Sequence, residues 1–207
     1  MKFITIFLLI LLPIGVGAQI EFGIRSGVAF SKQKYTTFNY PPDLSNHMVG
    51  AEAGIVLNWF FSHNFFMQPE LNFIQKGGAY PDGTNKANHL EVAFLLGFER
   101  RRESVSFFLN TGAFMDRVLK VINDRAGPLP PFPPNTFENK WGWGLVQAGG
   151  VRFKAGKGWI GLGGRYRYSL NYFRIINGED IGDDPGPILN LRNKGWSFNL
   201  NYKIDIR

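Results

Sequence analysis

The sequence predicts an all-β protein, an eight-stranded antiparallel up-and-down transmembrane β-barrel with short periplasmic turns and long extracellular loops. Three observations support this prediction. Polar and apolar residues alternate along eight segments, and these segments are long enough to cross a bilayer at a tilt of about 45°. The connections between them alternate strictly between long and short, which is typical of outer-membrane barrels.

The last segment, residues 194–206, shows the alternation most completely. Its apolar face consists of Trp196, Phe198, Leu200, Tyr202, Ile204 and Ile206, and the opposite face is small, polar or charged. Because successive side chains of a strand point to opposite faces, a period of two indicates a β-strand. Such complete segregation fits a soluble sheet with one face in water, or a membrane strand with lipid outside and a polar lumen inside.

Seven further segments show the same alternation. The predicted strands are about residues 19–31, 47–61, 65–76, 89–99, 105–114, 140–153, 159–171 and 194–206. The predicted long loops are 32–46, 77–88, 115–139 and 172–193, and the short turns are 62–64, 100–104 and 154–158. Pro69 falls on the apolar face of the third strand. Because proline cannot donate a hydrogen bond to a neighbouring strand, we expect a β-bulge there.

The chemistry of the two faces favours a membrane barrel over a soluble one. The predicted inward face carries Gly, Asn, Glu and Arg, whereas the outward face is rich in Phe, Trp and Tyr. A soluble lipocalin-type barrel would place its aromatic face inward. Trp59, Phe61 and Trp159 fall at periplasmic strand ends, where outer-membrane barrels carry an aromatic girdle.

Residues 1–18 are predicted to be a secretory signal peptide, which leaves residues 19–207 as the barrel domain. Lys2 precedes an apolar run over 3–12, and Val16-Gly17-Ala18 supplies small residues for cleavage. The alternative is a retained membrane helix, but the run is too short to span a bilayer comfortably. We therefore expect export and insertion into the outer membrane.

The composition excludes several kinds of chemistry. The chain has no cysteine, so it has no disulfide, no thiolate metal site, no cysteine nucleophile and no lipoprotein anchor. The formal charge is +7, but the only basic run is Arg100-Arg101-Arg102, so we expect no nucleic-acid partner. A basic surface also suits anionic headgroups, which makes outer-membrane lipid the expected partner.

Four stretches carry a family resemblance. Residues 66–73 read Phe-Met-Gln-Pro-Glu-Leu-Asn-Phe and residues 89–92 read His-Leu-Glu-Val. Residues 110–114 read Asn-Thr-Gly-Ala-Phe and residues 163–168 read Gly-Gly-Arg-Tyr-Arg-Tyr. These stretches resemble the PorT-like group of the Bacteroidetes outer-membrane β-barrel family, over essentially the whole predicted mature chain. The resemblance implies an eight-stranded barrel, and PorT itself is associated with secretion of proteins across the outer membrane.

The predicted interior is charged. An eight-stranded barrel is just wide enough for side chains to fill it, so we expect a filled lumen. The inward charges are Arg25, Glu52, Glu70, Lys76, Glu91, Glu99, Arg152, Arg165, Arg167 and Lys203. Buried charges need partners. We expect an ion-pair network among Glu52, Glu70, Glu91, Arg165, Arg167 and Lys203. The alternative is a gate in which salt bridges of Glu52 or Glu70 with Arg165 or Arg167 switch to open a narrow path.

The long loops offer candidates for contact with partners. The segment 127–134 contributes Pro128, Pro130, Pro131, Phe132, Pro133 and Pro134. Such a segment is either a stiff loop or a preformed extended ligand for envelope or secretion proteins. The acidic loop residues Glu179, Asp180, Asp183 and Asp184 lack EF-hand spacing, so we expect no metal and no other cofactor.

The sequence contains no recognisable catalytic motif. His47, His63 and His89 are scattered and are expected at turns or rims, and neither Gly-x-Ser-x-Gly nor His-Glu-x-x-His occurs. The predicted function is therefore a non-enzymatic outer-membrane barrel with a filled polar lumen, which acts through its loops or as part of a membrane assembly, including a secretion assembly. The alternatives are a narrow gated channel for small solutes and a lipid-active outer-membrane enzyme.

Overall fold

A computed structural model describes residues 19–36, 46–80, 83–125, 140–171, 173–175 and 189–206. The predicted signal peptide, the proline-rich segment 127–134 and the acidic loop residues 179–184 lie outside the described residues. The strands are β1 Gln19–Thr36, β2 Met48–Phe60, β3 Phe65–Tyr80, β4 Gly83–Arg101, β5 Val105–Arg125, β6 Trp141–Ala155, β7 Gly158–Ser169, β8 Phe173–Ile175 and β9 Leu189–Ile206.

The strands close into a barrel. From β1 to β7, each strand pairs antiparallel with the next, β7 pairs with β9, and β9 pairs with β1 from Ile20↔Ile206 to Thr36↔Asn190. The three-residue strand β8 pairs with the start of β9, at the end of the barrel opposite to residues 19 and 206. The barrel wall therefore contains eight strands, which confirms the predicted fold class.

The two faces of the wall are the reverse of those in a water-soluble protein. Outside, apolar side chains such as Phe94, which is 65% exposed, form a continuous band. Inside, carboxylates and guanidiniums are buried, including those of Glu91 and Arg152. In water this arrangement would expose apolar area and bury charge, both of which cost free energy, whereas lipid favours it. No helix in the described ranges has the length and apolarity needed to cross a bilayer.

Several strands continue beyond the ends that the sequence predicted. The predicted loop 77–88 is wrong, because β3 and β4 remain paired from Gly77↔Lys86 to Tyr80↔Gly83. The predicted loop 115–139 begins too early, because β5 continues to Arg125. Backbone hydrogen bonds between strands do not require apolar side chains, so strand pairing continues beyond the lipid-facing segment into polar residues. The apolar pattern marks the end of the membrane band, not the end of the strand.

The predicted bulge at Pro69 is also wrong. The β3–β4 register runs through Pro69↔Phe94 without a shift. Towards β2, the pairs Val56↔Glu70 and Trp59↔Met67 keep one register, and the two pairs between them are absent. Because proline has no backbone N–H to donate, the ladder omits these pairs instead of inserting a residue. The register shift lies at Asn88/His89, where β4 faces β5.

Candidate functional site in the barrel interior

Three groups of charged side chains fill the interior along the barrel axis. The base cluster, near the short turns, consists of Glu21, Glu99, Arg101 and Arg152. The middle cluster consists of Arg25, Glu52, Glu70, Arg165 and Arg167. The outer cluster consists of Lys76, His89, Glu91 and Asp116. Except for Arg101, which is partly exposed, all of these side chains are buried.

The base cluster closes the periplasmic end. Arg152 Nη1 lies 3.1 Å from Glu21 Oε2 and 2.8 Å from Glu99 Oε2. Arg101 pairs with Glu21, and its Nε lies 3.0 Å from Glu99 Oε1. The Ser106 hydroxyl also donates to Glu99. Two carboxylates and two guanidiniums thus neutralise one another, and Arg101 covers them from the turn side.

Two aromatic residues, Phe60 and Trp159, lie beside the Arg101 guanidinium, and the position of Trp159 differs from the prediction. Trp159 was predicted in the outward girdle, but it points inward and is 7% exposed. The Arg101 guanidinium lies 4.3 Å from the ring centroid of Phe60 and 5.7 Å from that of Trp159. These distances allow cation–π attraction. Ile160, next in the chain, faces the lipid, so strand alternation itself turns Trp159 inward.

The middle cluster contains the pairs that the sequence suggested. Both terminal nitrogens of Arg165 donate to Glu70 at 2.6 Å, and both of Arg167 donate to Glu52 at 2.9 Å. Arg25 joins the two pairs, with Nη1 2.9 Å from Glu70 and Nε 3.1 Å from Glu52. Bidentate pairs of this kind fix both distance and plane. Each carboxylate therefore contacts two guanidiniums, and the Arg25 guanidinium is common to both carboxylates.

The outer cluster adds a residue that the sequence reading missed. Lys76 Nζ lies 2.6 Å from Asp116 and 3.1 Å from Glu91. Glu91 also accepts from Arg167 Nε at 3.1 Å, which connects the outer and middle clusters. Asp116 fell within a predicted loop. The period of two from Asn110 to Asp116 was the signal that could have placed it inside the barrel.

Two more residues differ from the prediction. His89 was expected at a rim, but it is 1% exposed and its Nδ1 lies 2.9 Å from Asp116 Oδ2. Lys203 lies inside as predicted, but it contacts amide oxygens instead of a carboxylate. Its Nζ donates to Asn58 at 2.9 Å and to Gln68 at 3.4 Å. Lys203 therefore stands outside the ion-pair network.

Apolar side chains fill much of the remaining interior. Ala93, Leu95, Phe114 and Val146 form a buried cluster on β4, β5 and β6. Two cavities, of about 20 Å³ beside Lys76 and Arg167 and about 10 Å³ beside Arg165 and Lys203, interrupt the packing. Each has room for about one water molecule. Among the described residues, no group of His, Asp or Glu is arranged to hold a metal ion.

A closed antiparallel barrel with an apolar exterior and a charged interior defines an integral membrane β-barrel of the outer-membrane class. The sequence agrees with this class. The model of the family described as "Outer membrane protein beta-barrel domain" matches residues 16–173, and the chain belongs to this family. It is an outer-membrane protein, which confirms the predicted location.

Solved structures show the same fold at low sequence identity. The outer membrane protein OprG from Pseudomonas aeruginosa superposes with a TM-score of 0.63 at 12% identity, over 90% of this chain and 96% of OprG. Neisserial surface protein A superposes with a TM-score of 0.50 at 13% identity, over 87% of this chain and 95% of that protein. The search against curated protein sequences gave no match. These similarities establish the fold alone.

Proposed function

We propose that the protein is a non-enzymatic outer-membrane barrel with a filled lumen, which acts through its extracellular side or as a component of a membrane assembly, including one for protein secretion. The observation that carries this proposal is the interior itself. Ion pairs and apolar side chains occupy it from the base cluster to the outer cluster. A solute path would require several of these buried pairs to separate, each at a cost of about 3–5 kcal/mol.

The long strands support action outside the bilayer. A bilayer requires about 9–11 residues of a tilted strand, whereas β4 has 19 and β5 has 21. On β4 the exposed large apolar side chains run from Leu90 to Phe98, towards the short-turn end, so the earlier part of β4 and the part of β5 that pairs with it project beyond this band on the opposite side. This projecting sheet supplies a paired, rigid base for the connection between β5 and β6, which contains the proline-rich segment.

The positions of the histidines support a non-enzymatic role. His47 is exposed near the start of β2 and His63 is exposed in the β2–β3 turn, at opposite ends of that strand. His89 is enclosed in the interior. A hydrolase acting on lipid would require an imidazole beside a nucleophile at a rim that the substrate can reach. We also propose, on the stretches noted above, that the protein belongs to the PorT-like group of the Bacteroidetes.

Conductance measurements test the filled lumen. In planar bilayers at about 1 M salt, where charges on the protein surface are screened within about 3 Å, we expect the purified protein to give no channel openings. A general porin studied in the same bilayers provides the positive control. Regular openings by this protein would contradict the proposal and would favour the alternative of a narrow gated channel, in which the Glu52–Arg167 or Glu70–Arg165 pair switches.

Affinity capture from native membranes tests the extracellular role. We expect the full-length protein to retain specific envelope proteins, and replacement of residues 127–134 by a Gly/Ser sequence of equal length to remove at least one. The matched control replaces the exposed periplasmic turn 102–104 in the same way and should leave the captured set unchanged. If both variants capture the same proteins as the native chain, the proline-rich segment is a stiff connection and not a ligand.

A further inference from the structure

Lys203 is a buried lysine that contacts no carboxylate of the described residues. It pairs with Gly23, at the level between the base and middle clusters, and is 3% exposed. Every other buried Lys or Arg in the described ranges lies no more than 2.9 Å from a carboxylate oxygen. The Lys203 ammonium instead donates to the amide oxygens of Asn58 and Gln68. An ammonium has three hydrogens to donate, and a buried charge without a counter-charge is strongly destabilising.

The cavity of about 10 Å³ lies beside Lys203, and positive charge lines it. Arg25 and Arg165 are also part of its wall, and no Asp or Glu of the described residues is. The small residues Ala148 and Gly163, on β6 and β7, leave the space open. The wall also contains four side-chain amides, those of Gln68, Asn110, Asn199 and Asn201. The cavity is therefore surrounded by groups that can donate hydrogen bonds to an anion.

Arg165 supplies a second donor that lacks an acceptor. Both of its terminal nitrogens donate to Glu70, but its buried Nε has no hydrogen-bond partner among the described residues. The buried Oδ1 of Asn201 also has none. Rotation of this amide by 180° turns its NH2 group to the same position. An anion in the cavity would thus find ammonium, guanidinium and amide hydrogens that nothing else in the described structure uses.

The size of the cavity restricts the anion to a single atom. The cavity has room for about one water molecule. A chloride ion is only slightly larger, whereas phosphate and sulfate are polyatomic and do not fit. Water could satisfy the free donors, but it would leave the charge of Lys203 without a counter-charge. A halide ion does both, because hydrogen bonds from charged donors to an anion are roughly twice as strong as neutral ones.

We infer that this cavity binds a single halide ion, such as chloride, with Lys203 and Arg165 as its charged ligands. The ion is a structural ligand that becomes enclosed when the barrel closes during folding, because the base and middle clusters lie on either side of it. The inference rests on the filled lumen of the proposed function, but not on any role of the extracellular side. Conductance in planar bilayers tests the filled lumen separately from halide binding.

Urea unfolding and refolding of the purified protein in detergent micelles tests the site, in sodium chloride and in sodium gluconate of equal ionic strength. Gluconate is too large for the cavity. We expect chloride to lower the unfolding equilibrium constant, about tenfold when its concentration is about ten times the dissociation constant. Lys203→Met removes the charge and should abolish this dependence. The control Lys157→Met, in the exposed β6–β7 turn, should retain it. Heat-modifiable gel mobility shows whether each variant is folded.

A second measurement needs no variant. Crystals of the native protein grown in sodium bromide should show an anomalous peak beside Lys203 Nζ, and the lack of one would overturn the inference. Equal chloride dependence of the native protein and Lys203→Met would also overturn it, because that result indicates a general salt effect. So would a native protein that does not respond to chloride, since Lys203 would then be neutral or hydrated by water. None of these results would contradict the filled lumen, which only channel openings would do.

Discussion

Replacement of Glu70 by glutamine is expected to lower the free energy of unfolding by about 3–5 kcal/mol. The Glu70 carboxylate accepts both terminal nitrogens of Arg165 at 2.6 Å and two of Arg25 at 2.9 and 3.1 Å. Glutamine has nearly the same volume but no charge, so two buried guanidiniums lose a shared counter-charge. Equilibrium urea unfolding in detergent micelles, followed by tryptophan fluorescence, measures the difference.

Two further variants identify the cause of this loss. Glu103→Gln removes an equal charge from the exposed β4–β5 turn and should change stability by less than about 0.5 kcal/mol. Glu70→Gln/Arg165→Gln removes both partners and should recover part of the loss, because no uncompensated pair of cations remains. If Glu70→Gln alone costs less than about 1 kcal/mol, the middle cluster is hydrated and the interior is not filled as we describe it.

The sequence was sufficient to predict the barrel and the identity of most interior charges. Both follow from strand alternation, because a period of two assigns every side chain to a face once the strand is found. Arg25, Glu52, Glu70 and Arg165 all fall on the polar face in this way. Closure of the sheet into a barrel then follows, because an open sheet would leave the backbone groups of its edge strands unpaired in lipid.

The structure was needed to identify which interior side chains contact one another. Glu70 lies on β3 and Arg165 on β7, so they meet across the lumen and not along the wall. The height at which they meet depends on the register of every intervening strand pair, from β3–β4 to β6–β7. No local sequence pattern predicts the combined effect of these four registers. This is also why the amide partners of Lys203 were not predicted.

The strand ends were predicted least well, and one physical cause accounts for this. Apolar alternation reports contact with lipid, whereas strand pairing reports backbone hydrogen bonds, and the second extends further. Asp116 was therefore assigned to a loop although it lies on β5, and the segment 77–88 was assigned to a loop although it pairs as a hairpin. Arg101 was assigned to a turn for the same reason, yet it closes the base cluster.

Replacement of Phe94 by arginine should destabilise the folded protein in a bilayer by about 2–4 kcal/mol, the cost of a basic residue near the midplane on the lipid face. Phe94 points outward from the centre of the β4 apolar band and pairs with Pro69 on one side and Ala113 on the other. Urea titration of the protein folded into phospholipid vesicles measures the cost. The fraction that resists added protease gives an independent measure of insertion.

The size of this effect distinguishes lipid from water outside the barrel. On a water-facing surface the same change would alter stability by less than about 0.5 kcal/mol, because both side chains would be solvated. Ser104→Arg, in the exposed turn between β4 and β5, provides the matched control and should have that small effect. A cost at Phe94 as small as at Ser104 would mean that the apolar band is not in contact with acyl chains. A large cost at Phe94 alone requires the inverted arrangement of faces, since only an apolar solvent discriminates between the two sites.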